Sequence, residues 1–579
     1  MHPRSLLIPL ILLGLSLFVG VQVLGSAPDA SHQVSLPMLG NGVDFTTTPT
    51  PLPPPSYEGK PLANFDTADF NGPALCQSCH GNIKDAEGND VTMSAFWRST
   101  MMANAARDPF WLAKVSSEIQ RHPEAQAHIE ATCMRCHMPM AFTQARVDGL
   151  PLKIFGEEGF LNPDHPLHDA AMDGVSCTLC HQIQPDGLGE EVSFSGGYVI
   201  DTSTNPPRRP LFGPYPTPDM IGAGIMRSGS GYDPQYGAHL RTSELCAVCH
   251  TLFTPTQDAE GNPVNYPEQT PYLEWKHSAF GDGIGEDTPC QGCHMPQAPG
   301  PVAIYPGWTQ HEEFSRHDFV GGNVFMLRIL QQHGEALGVR ASSDDFEATI
   351  QRTLKQLQEQ TAEVQIREVT RSDEEMTFQV VVINKTGHKL PTGYPSRRTW
   401  LHVTITDAAG RTLFESGRPT PDGGILGDDA THRSDAYEPH HDIITSPDQV
   451  AIYQVVMGDA QGQVTYTLLD AVDNLKDNRL LPAGFDKATA GEAIAVKGSA
   501  AEDDNFIGGS DTVTYRVSLP ENITGPLALH VELLYSSLGF EWMRDLRLSN
   551  TPEVRRFERY FNGADKTPTI LAETVFTSP

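Results

Sequence analysis

Ten cysteines constrain this chain more than any other feature, because all of them fall in one repeated five-residue pattern. Each pattern is Cys-x-x-Cys-His, and the 579 residues contain no cysteine outside it. In chain order, motifs 1 to 5 are Cys76/Cys79/His80, Cys133/Cys136/His137, Cys177/Cys180/His181, Cys246/Cys249/His250 and Cys290/Cys293/His294. Composition alone predicts about 0.007 copies in such a chain, so the repetition indicates a shared chemical role.

The order of thiol, thiol and imidazole fits covalently attached haem. Two thiols three residues apart on one turn can reach both vinyl groups of a porphyrin edge, and the next residue directs its imidazole at the iron. Disulfides do not require a histidine after every pair. Zinc sites combine two Cys-x-x-Cys units, so five leave one unmatched, and a thioredoxin-like site is single and lies beside a βαβ pattern. The motifs therefore predict five haem c groups, with the cysteines as attachment points and the five histidines as iron ligands.

With these motifs, residues 62–340 resemble the multihaem c-type cytochromes, here with five haems. The resemblance implies an α+β fold, in which a loop-rich, mainly helical haem domain is followed by a β-domain. Porphyrins replace much of the apolar core in such a domain, and neighbouring haems lie close enough to exchange electrons. The resemblance therefore implies electron transfer as the function.

The pattern of apolar residues changes twice after the last motif. Helical periodicity over 341–363 predicts a linking helix. From Val364 the sequence alternates between apolar and polar residues in short runs broken by Gly, Pro and Asp. Such runs are typical of an antiparallel β-sandwich, which we expect over 364–579.

The N-terminus predicts export. Arg4 precedes an uncharged, mostly apolar run over 6–25, which fits either a cleaved signal peptide or an N-terminal membrane anchor over 1–27. The Pro- and Thr-rich segment over 28–61 predicts an extended tether. We therefore expect the protein to be periplasmic, to be anchored facing the periplasm, or to lie at the cell surface.

An internal repeat lies within the motif region. The sequence Asp-Ala-Glu-Gly-Asn occurs after motif 1 and again after motif 4, followed by Trp97 and Trp275 respectively. Motifs 2 and 5 are both followed by Met-Pro. The pattern predicts a turn in each copy and indicates that motifs 1 and 2 correspond to motifs 4 and 5, with motif 3 between them.

Histidines outside the motifs are candidates for the second axial ligand of each iron. His168 precedes motif 3 by nine residues, His239 precedes motif 4 by seven, and His317 lies in a segment whose glycines allow close approach to a porphyrin. For any single histidine the alternative is an ordinary surface or core residue. Met101, after Trp97, is a further candidate beside Met102, and methionine ligation raises the reduction potential of a haem.

Two segments of the β-domain resemble segments of multihaem cytochromes with a similar domain after their haems. One holds His388 between glycine-rich turns, and the other holds His440 and His441. The resemblance implies that His388 and His440 or its neighbour reach across to bind iron. The alternative is that they are loop histidines of an interaction module.

The net charge and the number of candidate distal ligands limit the functions that are possible. Acidic residues outnumber basic residues 72 to 40, a formal charge of −32, which argues against nucleic acid as a partner. Six candidate distal ligands for five irons favour an electron carrier without catalytic residues, linking a quinol-oxidising complex to a terminal reductase or an outer-membrane conduit. The alternatives are an oxidoreductase acting on a small nitrogen or sulfur compound at one open haem, and a surface metal reductase.

Overall fold

The structure is a computed structural model that describes residues 56–216, 220–281, 288–304 and 310–578. The predicted signal peptide or anchor and most of the predicted tether lie outside these residues. Within them, no helix has the length and apolar character needed to cross a bilayer. Helices and sheets are both present, so the α+β class is confirmed.

Short helices and long irregular segments make up the part of the chain that carries the motifs. The helices described there are α1 (Pro73–His80), α2 (Met93–Trp97), α3 (Pro109–Arg121), α4 (Gln126–His137), α5 (Pro139–Asp148), α6 (His168–Met172), α7 (Cys177–Cys180), α8 (Met220–Ser230), α9 (Ser243–His250), α10 (Pro271–Lys276) and α11 (Cys290–His294). Two-stranded sheets pair β1 (Pro210–Gly213) with β2 (Asp233–Tyr236), β3 (Leu252–Gln257) with β4 (Pro263–Gln269), and β5 (Gln297–Pro301) with β6 (Gln310–Ser315). The first pair is parallel and the other two are antiparallel.

A helical segment leads from the motifs to the large sheets. It contains α12 (Val324–Gln332), α13 (Gly334–Leu337) and α14 (Ser343–Gln360). The longest of these helices begins at a capping box, in which Ser342 and Asp345 each accept the other's backbone N–H. Phe346 and Leu357 are buried on its apolar face. This helix occupies most of the predicted helical segment 341–363.

Two larger sheets follow. Their strands are β7 (Ala362–Arg371), β8 (Glu375–Asn384), β9 (Arg398–Thr406), β10 (Thr412–Ser416), β11 (Ile443–Ile444), β12 (Ile452–Asp459), β13 (Val464–Thr465), β14 (Ala471–Asp477), β15 (Ser510–Ser518), β16 (Leu527–Ser536) and β17 (Thr569–Ser578), with α15 (Asp429–His432), α16 (Phe540–Leu546) and α17 (Pro552–Gly563) between strands. One sheet has the order β13-β12-β9-β16-β17, with β10 on β9 and β14 on β12, and the other has the order β11-β15-β8-β7. All pairs are antiparallel except β11 with β15.

Contacts between the two sheets bury side chains from both. The hydroxyl of Tyr453 on β12 donates to Asp511 on β15 at 2.7 Å, and the ring of Phe414 on β10 meets the edge of Tyr515 on β15. Burial of each large apolar side chain in this shared core contributes about 1.5–3 kcal/mol. The described residues belong to one compact unit, and the domain boundaries within it stay predictions.

The repeated Asp-Ala-Glu-Gly-Asn sequences form the same turn. The carboxylate of Asp85 accepts the N–H of Asn89 at 2.8 Å, and that of Asp258 accepts the N–H of Asn262 at 2.8 Å. The turn predicted for both copies is confirmed.

The two tryptophans show which motifs correspond. Trp97 Nε1 donates to the carbonyl of Val175 at 2.8 Å, two residues before motif 3. Trp275 Nε1 donates to the carbonyl of Thr288 at 2.9 Å, two residues before motif 5. In both copies, the residue that accepts the tryptophan N–H also donates its own backbone N–H to the carbonyl five positions after the tryptophan. These bonds join Val175 to Met102 at 3.0 Å and Thr288 to Phe280 at 3.2 Å. Motifs 1 and 3 therefore correspond to motifs 4 and 5. The prediction that motif 2 corresponds to motif 5 is wrong. The shared Met-Pro is a likeness of sequence only, whereas the tryptophan contacts place motif 3 at the position in space that is equivalent to motif 5.

Candidate multihaem site

All five motifs line one continuous cavity of about 1490 Å³. Its wall includes every motif histidine and nine of the ten motif cysteines, Cys79 being the exception. The volume exceeds the roughly 300–1,000 Å³ typical of a pocket for one small molecule. The cavity therefore has room for a group larger than an ordinary ligand.

Each motif lies at the end of a short helix. Four helices end at the motif histidine, namely His80, His137, His250 and His294, and α7 ends at Cys180. Helical geometry places the two cysteines of a motif, three residues apart, on one face. The ten cysteines form no disulfide bond. Both thiols of each motif are thus presented on one side, as attachment to a porphyrin edge requires.

Four motif histidines use one ring nitrogen to hold the ring in place. Their Nδ1 atoms lie within hydrogen-bonding distance of backbone carbonyls, which can only accept, so Nδ1 is the protonated nitrogen. The pairs are His80 with Val302 (2.7 Å), His137 with Ala105 (3.0 Å), His181 with Phe212 (2.6 Å) and His294 with Val320 (2.5 Å). Metal-binding histidines show this same arrangement, since it orients the ring and leaves Nε2 free to bind.

Burial favours the neutral form of four motif histidines, namely His137, His181, His250 and His294. Removal from water lowers the pKa of His137 and of His250 to about 4, and it also lowers the pKa of His181 and His294. A neutral imidazole retains the lone pair with which it binds a metal. At neutral pH these rings are therefore ready to act as ligands.

Two motif histidines face a second imidazole in the described part of the chain. The ring centres of His181 and His317 lie 6.4 Å apart with planes inclined by 15°, and those of His294 and His388 lie 6.3 Å apart with planes inclined by 17°. Metal–imidazole bonds are about 2.0–2.1 Å long, so two opposed imidazoles on one metal have ring centres about 6 Å apart. The donor set and spacing fit one iron between the rings of each pair.

The loop that carries His388 is anchored on the motif region. His388 Nδ1 donates to the carbonyl of Lys389 at 2.9 Å. The N–H of Lys389 donates to the carboxylate of Glu274 on α10 at 3.1 Å, and Arg479 donates to the same carboxylate at 2.8 Å. Glu274 has no exposed surface. These bonds direct the ring of His388 into the cavity, whose wall it joins.

Two other predicted ligands lie off the cavity wall. His168 Nδ1 lies 2.8 Å from the carbonyl of Phe160, and His239 Nε2 donates to the carbonyl of Ile183 at 2.9 Å. Neither side chain lines the cavity. The cavity wall therefore includes neither His168 nor His239, although His239 lies close enough to His181 to lower the pKa of that ring.

His440 takes part in a hydrogen-bond network of the sheets. The amide oxygen of Asn478 accepts a backbone N–H, so its NH₂ group donates to His440 Nδ1 at 3.1 Å. His440 Nε2 then carries the proton and donates to Asp503 at 3.0 Å. His441 bonds Glu438 at 2.6 Å. Both nitrogens of His440 are occupied away from the cavity, so the structure does not place it as an iron ligand.

The surroundings of motif 2 differ from those of motifs 3 and 5. His137 stacks on Trp111, with ring centres 4.3 Å apart and planes inclined by 2°. Met101 and Met102 line the cavity, and ligation by Met101 stays a prediction. Trp111 was not identified from the sequence, because it lies 22 residues before motif 2 with no pattern connecting them.

Contacts between cysteines of different motifs give the order of the motifs in space. In three cases two such thiols lie close enough for one to shift the pKa of the other. The pairs are Cys76 with Cys177, Cys136 with Cys249, and Cys246 with Cys290. Cys180 of motif 3 also acts on the pKa of both cysteines of motif 4. The motifs thus form a connected array, in which motif 4 adjoins motifs 2, 3 and 5, and motif 1 adjoins motif 3.

The similarity of this chain to known proteins is distant. No protein-family model matches the chain, and no curated protein matches it. Among solved structures, the chain is similar to a penta-heme cytochrome c552 from Thermochromatium tepidum, with 17% sequence identity and a TM-score of 0.45. The match covers 87% of this chain and 98% of that chain. Similarity this distant does not identify functional residues, so the function of this chain has to be inferred from the chemistry of its own site.

Proposed function

We propose that this protein binds five c-type haems covalently and transfers electrons among them. The observation that carries the proposal is the two pairs of opposed imidazoles, His181/His317 and His294/His388, each beside a complete Cys-x-x-Cys-His motif. Covalent haem accounts for the thiols and for the oriented histidines together. Zinc or disulfides account for neither the opposed rings nor the shared cavity.

The order of the motifs supports a relay. An iron with two protein imidazoles has no free position for a substrate, so it passes electrons. With haem bound, His181 with His317 and His294 with His388 would hold the irons of motifs 3 and 5 in this way, and motif 4 lies between those two motifs in the array. Cys79 of motif 1 and Cys293 of motif 5 are the exposed cysteines. We propose that electrons enter and leave through the haems of motifs 1 and 5.

The cellular setting follows from the sequence. We propose that the protein is exported and works in the periplasm, free or tethered by its N-terminus, or at the cell surface. Its partners are then other redox proteins, namely a quinol-oxidising complex on one side and a terminal reductase or outer-membrane conduit on the other. The β-sandwich predicted over 364–579 supplies His388, so it is part of the haem site as well as a surface for docking.

A reductive titration tests the proposal. The purified protein, matured in a host that attaches haem c, is titrated anaerobically with dithionite while the haem absorbance is followed. We expect five electrons per chain and rapid exchange with a small redox dye. Uptake of fewer than five electrons, or none, contradicts the proposal.

A further inference from the structure

The haem of motif 2, here called haem 2, stands apart from the other four. Motifs 1 and 3 form one copy of the internal repeat and motifs 4 and 5 form the other, so motif 2 belongs to neither. The opposed histidines His317 and His388 face the second motif of each copy. Trp111 stacks on the face of the His137 ring, and among the described residues no second imidazole pairs with His137. The repeat therefore supplies no equivalent distal histidine for haem 2.

Buried ionisable side chains line the cavity beside Cys133 of motif 2. Glu118 on α3 and Glu268 on β4 are 3% and 9% exposed, and Tyr394 comes from the loop after His388. All three line the cavity. Both carboxylates lie close enough to Cys133 to raise the pKa of its thiol, and Cys133 lies close enough to Tyr394 to raise the pKa of its hydroxyl. Three separate segments thus converge on the attachment site of haem 2.

The position of α3 connects this group to the iron ligand. Trp111, Lys114 and Glu118 follow one another at intervals of three and four residues, so they share one face of the helix. Trp111 contacts His137, and Glu118 lies about 10 Å further along the axis. The helix therefore runs from the proximal histidine to the neighbourhood of Cys133.

Two polar atoms of this group have no protein partner. Glu118 Oε1 is paired with Lys114 Nζ at 3.1 Å and accepts the N–H of Leu468 at 2.9 Å. Its Oε2 is buried without a hydrogen bond, and so is the hydroxyl of Tyr394. A buried polar atom without a partner is unfavourable. Free atoms of this kind on a cavity wall are suited to bind a guest molecule.

We propose that haem 2 has an exchangeable distal position, and that Glu118, Glu268 and Tyr394 form a pocket that binds a small uncharged iron ligand there. This inference rests on the proposed haem attachment. Carbon monoxide, nitric oxide and hydroxylamine are of the right class. One lysine faces two carboxyl groups, so the pocket lacks the net positive charge that attracts an anion such as nitrite.

The pocket also has groups that can donate protons to a bound ligand. Burial raises the pKa of Glu268 to about 7, so part of the population is protonated at neutral pH. Burial raises the pKa of Tyr394 well above its usual value, so its hydroxyl stays protonated. Glu268 accepts the hydroxyl of Thr254 at 2.6 Å, which holds its side chain in place.

Carbon monoxide binding to the reduced five-haem protein tests the inference. We expect at least one carbon monoxide per chain at neutral pH, together with a high-spin iron in the oxidised EPR spectrum. Tyr394→Phe removes a hydrogen-bond donor and should change the affinity roughly 2- to 10-fold, with a shift of the C–O stretching frequency. Tyr515→Phe is the matched control, because its hydroxyl is also buried without a partner but lies off the cavity wall, and it should change neither property.

A second variant assigns the binding to haem 2. Glu268→His introduces an imidazole into the pocket, which should convert one high-spin iron to low spin and remove one equivalent of carbon monoxide binding. Five attached haems that are all low spin and bind no carbon monoxide overturn the inference and leave the proposed function intact. Carbon monoxide binding that neither Tyr394→Phe nor Glu268→His alters also overturns it, since the open haem is then another one. A protein without attached haem instead overturns the proposed function.

Discussion

The carboxylate of Glu274 accepts the backbone N–H of Lys389 at 3.1 Å, and this bond fixes the loop whose preceding residue is His388. Glu274 comes from the motif region, before motif 5, whereas His388 comes from the sheet region. The opposed pair His294/His388 therefore depends on contacts between two distant parts of the chain. This dependence can be tested at Glu274 and at His388 separately.

Glu274→Gln should weaken the binding of His388 without removing it. The amide retains an acceptor for Lys389 but loses the charge that pairs with Arg479 at 2.8 Å. Arg479 keeps its ion pair with Asp477 at 2.7 Å, so the loss of stability should be smaller than the roughly 3–5 kcal/mol of a buried charge left without any partner. We expect a lower unfolding temperature and a partly high-spin signal from one haem. An unchanged spectrum and unfolding temperature contradict the role given to Glu274.

His388→Ala should convert one low-spin iron to high spin, because the ring opposite His294 is lost. His317→Ala should do the same to a different iron, and the double variant should show both changes. EPR at low temperature reports the spin states directly. His441→Ala is the control, since His441 bonds Glu438 and lies off the cavity wall, and its spectrum should match that of the unaltered protein.

These two ligands show how far the sequence alone could lead. The motifs predict ten attachment cysteines and five histidine ligands, because that chemistry is encoded within five consecutive residues. His317 and His388 are among the candidates that the sequence offers for the second ligand, and the fold brings both to motif histidines. His168, His239 and His440 are candidates that the sequence also offers, and what separates them from the opposed pairs is the fold, in which none of the three lines the cavity.

The pocket beside haem 2 was beyond prediction from the sequence. Glu118, Glu268 and Tyr394 lie on a helix, a strand and a loop that are far apart in the chain. Nothing in their local sequences distinguishes them from ordinary charged or aromatic residues. The correspondence of motifs 1 and 3 with motifs 4 and 5 was missed for a related reason, because it depends on the hydrogen bonds of Trp97 and Trp275.

Asp511→Asn should change how stability depends on pH. Burial raises the pKa of Asp511 to about 7 in the folded protein, against about 3.9 in the unfolded chain. The folded state thus holds a proton that the unfolded chain has released, and stability falls as pH rises from about 4 to 7. Asparagine does not ionise, and its one side-chain oxygen replaces one of the two acceptors that now serve Tyr453 and the N–H of Thr512. The variant should therefore lose less stability over this range, as measured by urea unfolding, and an unchanged pH profile contradicts the assignment.

Phe378→Ala should destabilise the sheets while leaving haem attachment intact. Phe378 has no exposed surface and stacks on Tyr515 at 5.0 Å in the shared core. Truncation of a buried phenylalanine costs about 3–5 kcal/mol. Chemical unfolding should show this loss. A loss below about 1 kcal/mol contradicts the placement of Phe378 in the core.

The mass of the denatured protein tests the central claim most directly. Thioether bonds survive denaturation, so a chain matured in a host that attaches haem c should carry the mass of five haems. Replacing both cysteines of one motif by alanine should remove the mass of one haem, for each motif in turn. A mature chain with fewer than five haem additions, or with a bound metal that denaturation releases, contradicts the claim.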